Sequence, residues 1–194
     1  VLKAGGVVVP INYMFKMEEA KFILQDSEAA CIITSRAYLD MAEELRLRVD
    51  SLKHIITTAK TKEDIPDFHT IRKNHTGGLI RIPDNPKDLA VILYTSGTTG
   101  FPKGAMLTHY NLISNAVDSS KAIKASYKDS IICILPLFHS FAATVCMNLA
   151  LLSGAKMVIM KSVRPFKRVI RAVRKNRVSI FVGVPSIYNI LKAM

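Results

Sequence analysis

Behind the apolar residues 89–94 comes Thr95-Ser96-Gly97-Thr98-Thr99-Gly100-Phe101-Pro102-Lys103-Gly104, which holds four aliphatic hydroxyls, three glycines and one lysine. An apolar run of that length reads as a buried strand. The strand delivers a loop whose backbone N–H groups and hydroxyls converge on one point. Glycine permits close backbone approach and positive φ, and the N–H and O–H groups donate to anionic oxygens. Lys103 adds a mobile positive charge suited to a phosphate. The loop therefore reads as a polyphosphate cradle. An ordinary turn uses the same residue types. What sets this one apart is the ordered succession of strand, hydroxyl–glycine cluster, proline, lysine and glycine.

The spacing excludes a Walker loop, in which a glycine is followed after four residues by Gly-Lys-Ser/Thr opening a helix. Here the residue five beyond Gly97 is Pro102, and Lys103 is followed by Gly104. Proline and glycine so placed discourage a helix. Residues 105–108 look extended, so the loop is expected to join two strands.

The segment from Tyr94 to Gly104, with Ala105-Met106-Leu107-Thr108-His109 behind it, closely resembles the phosphate-loop signature of the adenylate-forming superfamily. That superfamily includes acyl-CoA synthetases, peptide-synthetase adenylation domains and luciferases. Three further segments resemble the family in the same order. They are Leu2-Lys3-Ala4-Gly5-Gly6-Val7-Val8-Val9-Pro10-Ile11-Asn12, Leu135-Pro136-Leu137-Phe138-His139-Ser140-Phe141-Ala142, and Phe181-Val182-Gly183-Val184-Pro185-Ser186-Ile187-Tyr188. The phosphate loop is specific; each of the others would be weak alone. The likeness is weakest over residues 35–86.

The resemblance implies roles. Thr95, Ser96, Gly97, Thr98, Thr99 and Gly100 would hold the β- and γ-phosphates of ATP, and Lys103 would neutralise departing pyrophosphate. Thr95 would also contribute to Mg²⁺ binding. His139 would stand at the pocket wall near the acyl carbonyl or α-phosphate, its plainer alternative being a helix cap. Val184 and Pro185 would line the acyl channel. Pro136-Leu137-Phe138-His139 resembles acyl- or aryl-CoA synthetases more than amino-acid-adenylating domains, and the apolar continuation points to fatty-acid–CoA ligases. Such enzymes join a carboxylate to coenzyme A through an acyl-adenylate. Aryl-CoA ligase, peptide-synthetase adenylation domain and a non-catalytic phosphate- or anionic-membrane-binding module are the alternatives. Family members run to several hundred residues, so this chain of 194 is expected to be an internal piece of the large domain, inactive alone and prone to self-association.

Charge is unevenly spread. Residues 1–88 carry 13 basic and 13 acidic side chains, whereas residues 89–194 carry 14 basic ones against Asp118 and Asp129 alone. That scarcity argues against a two-carboxylate mechanism or a carboxylate metal cage in the second part. Residues 164–177 place Arg164, Lys167, Arg168, Arg171, Arg174 and Lys175 at helical spacing, a basic stripe beside Phe166, Val169, Ile170 and Val173. This is either a solvated outer face or a surface for anionic lipid. No stacking aromatics accompany it, which argues against nucleic acid. Cys31, Cys133 and Cys146 sit in apolar runs without metal-ligand spacing and are expected to be buried, reduced thiols, which fits a cytoplasmic setting.

Helix-like and strand-like segments alternate. Helices are expected over 18–26, 38–49, 109–123, 141–152 (mostly buried), 165–176 and 186–191, and strands over 30–34, 54–58, 131–135, 156–160 and 178–182. The fold class is therefore α/β, with mainly parallel sheets covered by helices on both faces. Residues 1–59 form a first α/β piece, 60–87 a polar surface excursion, and 88–194 the phosphate-loop piece. In open sheets of this kind ligands sit beyond the carboxyl ends of the strands, where the phosphate loop, His139 and Val184-Pro185 all lie.

Overall fold

The computed structural model describes residues 1–60, 65–75, 77, 85–95 and 102–193. The chain divides into two compact units, Val1–Asp84 with Ala90–Met106, and Asn85–Leu89 with Leu107–Met194. The strands flanking the phosphate loop thus belong mainly with the N-terminal residues, although the sequence pattern groups them with the C-terminal half of the chain.

In the first unit, strands β1 (Cys31–Thr34) and β2 (His54–Thr57) pair in parallel, Cys31 opposite His54 and Thr34 opposite Thr57. Helix α1 (Met17–Asp26) starts where the Lys16 N–H donates to Glu19 Oε2 at 2.8 Å, tying off its first turn. Its Ala20 and Leu24, four residues apart and so on one face, bury against Leu45 of α2 (Leu39–Arg48), Val49 and Leu52. Leu39 and Ala42, on another side of α2, meet Ile55 of β2 with Ile32 of β1 beside them.

One sequence expectation in this unit gains detail and one is corrected. Residues 60–87 contain helix α3 (Phe68–Asn74), capped by Asp67, whose Oδ1 accepts from Thr70 N–H at 2.9 Å. Buried Thr57 leads the chain there, its N–H donating to the Pro66 carbonyl at 3.0 Å. Seven residues are too few for periodicity to register, and only the cap was a signal. Cys31 is exposed, not buried. It starts β1 on the face opposite to Ile32, which packs inward.

β3 (Leu89–Thr95) and β4 (Lys103–Thr108) pair with one another. Val8 bridges Val91 in parallel, its N–H donating to the Ala90 carbonyl at 2.9 Å and its carbonyl accepting from Ile92 N–H at 3.0 Å.

The second unit is built on β5 (Ser130–Cys133), the middle strand of a parallel sheet ordered β6-β5-β7, with β6 at Lys156–Ile159 and β7 at Ile180–Phe181. All four β5 residues are buried, as a strand covered on both faces requires. Ile131 and Cys133 pack against Cys146, Leu149 and Ala150. Ile132, with Ile134 beyond the strand, faces Val169 of α7 (Phe166–Asn176) and Ile187 of α8 (Pro185–Lys192). The first of these layers is α5 (Ser140–Ala142), a π-helical stretch Ala143–Asn148 and α6 (Leu149–Ser153), with α4 (His109–Ile123) packed alongside. Only one side of that stretch meets β5, so Phe141, Leu151 and Leu152 are exposed despite being apolar. No helix among the described residues is long and apolar enough to cross a membrane.

Asp129 locks the entrance to β5. Its Oδ2 accepts from the Ser126 N–H (2.8 Å) and hydroxyl (3.0 Å), and its Oδ1 from the Ser179 hydroxyl (2.8 Å), which in turn accepts from Ser130 N–H at 3.0 Å. The hydrogen bond from Ser179, then those from Ser126, hold this carboxyl below the ordinary 3.8.

Two outcomes are expected. On α2, Leu45 is 2% exposed and Leu47 84%. Leu45→Ala should cost about 2–5 kcal/mol in chemical denaturation, and Leu47→Ala less than about 0.5 kcal/mol; equal losses would contradict the packing. Because the pKa of Asp129 is depressed in the folded state, its stabilisation is present above about pH 4 and is lost as pH falls through the folded value. Asp129→Asn should lower the melting temperature at neutral pH and make the fall below about pH 4 shallower. An unchanged acid limb would contradict that role.

Candidate functional site

In the first unit, Thr95 is the last residue of β3 and Lys103 the first of β4. Both are exposed. Between them Ser96, Gly97, Thr98, Thr99 and Gly100 lie outside the described residues. The ion pairs among the described residues join Arg48 to Glu18 and Glu44, so Lys103 is not neutralised by a described carboxylate. An exposed cation without a carboxylate partner is available to an anion.

The start of β4 is close to the end of β3. A Cβ built on Gly104 would lie 3.0 Å from Cζ of the Tyr94 ring and 2.8 Å from Cγ2 of Ile92, so only glycine fits without displacement. Tyr94 in turn donates its hydroxyl to Asp26 Oδ2 at 2.5 Å. Sequence reasoning missed this contact. Tyr94 and Gly104 were visible in the motif, but nothing in one sequence links them to a residue 68 positions earlier.

Thr95 offers one hydroxyl oxygen. No group of three or more His, Cys, Asp or Glu side chains able to hold a metal occurs among the described residues. A hard divalent cation takes six or more oxygens and in nucleotide sites draws several from phosphate and water. Thr95 fits as one ligand of a cation carried in by phosphate, not as the core of a protein-built site.

In the second unit, His139 follows β5 and Val184-Pro185 follow β7. Since β5 and β7 are parallel neighbours, with Ile131 opposite Ile180 and Ile132 opposite Phe181, both segments leave the same sheet edge. His139 occupies the N-cap position of α5, but its side chain makes no capping hydrogen bond. Its N–H donates to the Pro136 carbonyl at 3.1 Å, its carbonyl accepts from Ala143 N–H at 3.0 Å, and its exposed ring lies 4.3 Å from that of Phe138. The backbone therefore shapes the turn while the imidazole is left to the surface of that edge. Pro185 is the first residue of α8, where its fixed φ suits the helix and no N–H is needed. Tyr188 donates to the Phe181 carbonyl at 3.0 Å, drawing α8 back onto the strand end. A Cβ on Gly183 would come within 3.4 Å of Phe181, Ile187 and Tyr188, so the turn is tightly packed.

Thiol chemistry finds no support at this edge. Cys133 and Cys146 are both buried, and burial with the neighbouring Cys133 pushes the Cys146 thiol up to about 12.

Comparison with known proteins shows the family to which the chain belongs. The long-chain-fatty-acid–CoA ligase of Bacillus subtilis (strain 168) is 29% identical over 219 aligned residues, covering 97% of this chain and 38% of that protein. The crotonobetaine/carnitine–CoA ligase of Salmonella arizonae is 32% identical over 164 residues, covering 82% of this chain and 32% of that protein. Among solved structures, ATP-bound MatB from Rhodopseudomonas palustris superposes with a TM-score of 0.83 at 27% identity, over 98% of this chain and 36% of that one. The chain thus spans between about a third and two-fifths of the length of these relatives. The family model for the AMP-binding enzyme matches residues 1–194, and the chain belongs to that family.

Proposed function

We propose that the chain is the phosphate-binding part of an ATP-dependent acid–thiol ligase acting on fatty acids. The observation that carries this reading is the placing of Thr95 and Lys103 on neighbouring strands, with a lysine that no described carboxylate neutralises. Relatives whose names specify fatty-acid and carnitine CoA ligases, and a neighbour that holds ATP, support it.

The reaction runs in two displacements. A carboxylate oxygen attacks the α-phosphorus of ATP, the bond to the β-phosphate oxygen breaks, and pyrophosphate leaves. The thiol sulfur of coenzyme A then attacks the acyl carbonyl, AMP departs with the carboxylate oxygen, and the thiol proton is released. A carboxylate is a poor electrophile, so adenylation supplies the leaving group, and the protein's share is positioning and charge stabilisation. Lys103 stabilises pyrophosphate as charge builds on it, and Thr95 donates to, or shares a cation with, the terminal phosphates. His139 and the Val184-Pro185 turn border the carboxylate's channel. A carnitine-like acid in place of a fatty acid is the alternative, favoured by the likeness to the crotonobetaine/carnitine–CoA ligase.

In the same reading the protein works in the cytoplasm and touches membranes peripherally. Lys167, Arg168, Arg171, Arg174 and Lys175 of α7 are all exposed, none within an ion pair among the described residues. Anionic lipid attracts such a face by about 1 kcal/mol per cation near the surface.

Lys103→Ala should weaken ATP binding about 10- to 100-fold, the loss of one charge-assisted hydrogen bond. Isothermal titration with ATP against adenosine reads this, and pyrophosphate–ATP exchange by the full-length parent enzyme with fatty, aryl and amino acids identifies the carboxylate. Equal ATP affinity in the variant would refute the assignment. Vesicles containing phosphatidylserine should retain the wild type but not a Lys167→Gln/Arg171→Gln/Arg174→Gln variant; retention of both, or neither, would reject the membrane reading.

A further inference from the structure

Tyr94 connects three places that the chain keeps apart. Its backbone immediately precedes Thr95, its ring stands against Gly104, the residue after Lys103, and its hydroxyl donates to Asp26 at 2.5 Å. One side chain therefore touches the root of both strands that flank the phosphate loop and pins them to the end of α1.

Asp26 is not there for the helix. It is the last residue of α1, where the exposed carbonyls carry partial negative charge and a carboxylate is unfavourable. A residue that breaks a local rule needs a compensating contact elsewhere, and the phenol of Tyr94 supplies it. The phenol is half-buried, and burial first, then the hydrogen bond to Asp26, raise its pKa well above the ordinary 10. It therefore remains an O–H donor throughout the neutral range.

The opposite side of the ring is equally constrained. The side chains of Ile92 and Tyr94, two apart on β3, share a face, and both close over Gly104 with no room for a methyl group. Moving the ring would move the beginning of β4, and with it Lys103.

We propose that Tyr94, held by Asp26 and seated on Gly104, is a positioning residue that sets Thr95 and Lys103 at the separation a triphosphate requires. This rests on the phosphate-binding reading of the loop. Tyr94 touches no reacting atom; it removes the need for the ligand to order the two strand ends on binding, which is where preorganised sites gain affinity.

The test is a mutant cycle on the 194-residue chain, read by titration with ATP and with inorganic tripolyphosphate. Tyr94→Phe keeps the ring and removes the O–H; Asp26→Ala removes the acceptor; Asp26→Asn keeps an acceptor oxygen. Tyr94→Phe and Asp26→Ala should each weaken both ligands roughly 3- to 10-fold, and the double variant no more than the worse single, while Asp26→Asn recovers part of the loss. Amide hydrogen exchange without ligand should quicken at Thr95, Lys103 and Gly104 in Tyr94→Phe and stay unchanged at Ile131 and Ile132 of the other unit. Wild-type affinities in both single variants, losses that multiply in the double variant, or unchanged exchange at those three amides would each overturn the proposal. A wild-type chain that binds neither ligand would instead reject the phosphate-binding reading. In that case the exchange rates still decide whether Tyr94 fixes the strand ends.

Discussion

Pairing of β3 with β4 is the constraint on which the site depends. Two strands that lie side by side with Gly104 against Tyr94 have the end of one and the start of the other close together. A hydroxyl and an ammonium that begin eight positions apart in sequence then stand at the facing ends of paired strands. Glycine at 104 makes that approach possible, because any larger residue would push Tyr94 or Ile92 aside.

The second unit solves a different problem. A strand buried on both faces needs an apolar residue at every position and helices above and below, and β5 comes close to both, with Ser130 at its entrance the one polar residue. Parallel neighbours then bring the segments after β5 and β7 out at one edge, where open α/β sheets hold ligands. His139 and Val184-Pro185 share this edge through the topology of the sheet. The imidazole of His139 is not spent on capping α5, which leaves it available to a ligand.

Much of this was readable from residues. Apolar runs at 131–135 and 89–94 became β5 and β3, Thr108 with Asn111 opens α4 as its residues suggest, and the 3.6-residue spacing of Val169 and Val173 fixed the buried side of α7. Short or irregular elements were not legible. α3 is two turns long, β7 two residues against the five expected, and the π-helical stretch at Ala143–Asn148 leaves no mark on periodicity. Cys31 shows the limit of apolar runs: a strand of alternating exposure puts half of its apolar residues outside. At the candidate site the loop motif suggests a phosphate cradle from residue types alone, whereas the link from Tyr94 to Asp26 depends on a tertiary contact that no local pattern encodes.

Two basic features of this chain are candidates to hold anions, the Thr95–Lys103 pair and the exposed face of α7. An ¹⁵N-resolved NMR titration with inorganic tripolyphosphate separates them most directly. The account predicts that the earliest and saturating shifts fall on the amides of Thr95, Lys103 and Gly104. Shifts confined to Lys167, Arg171, Arg174 and Lys175, with the β3 and β4 ends unmoved, would contradict it.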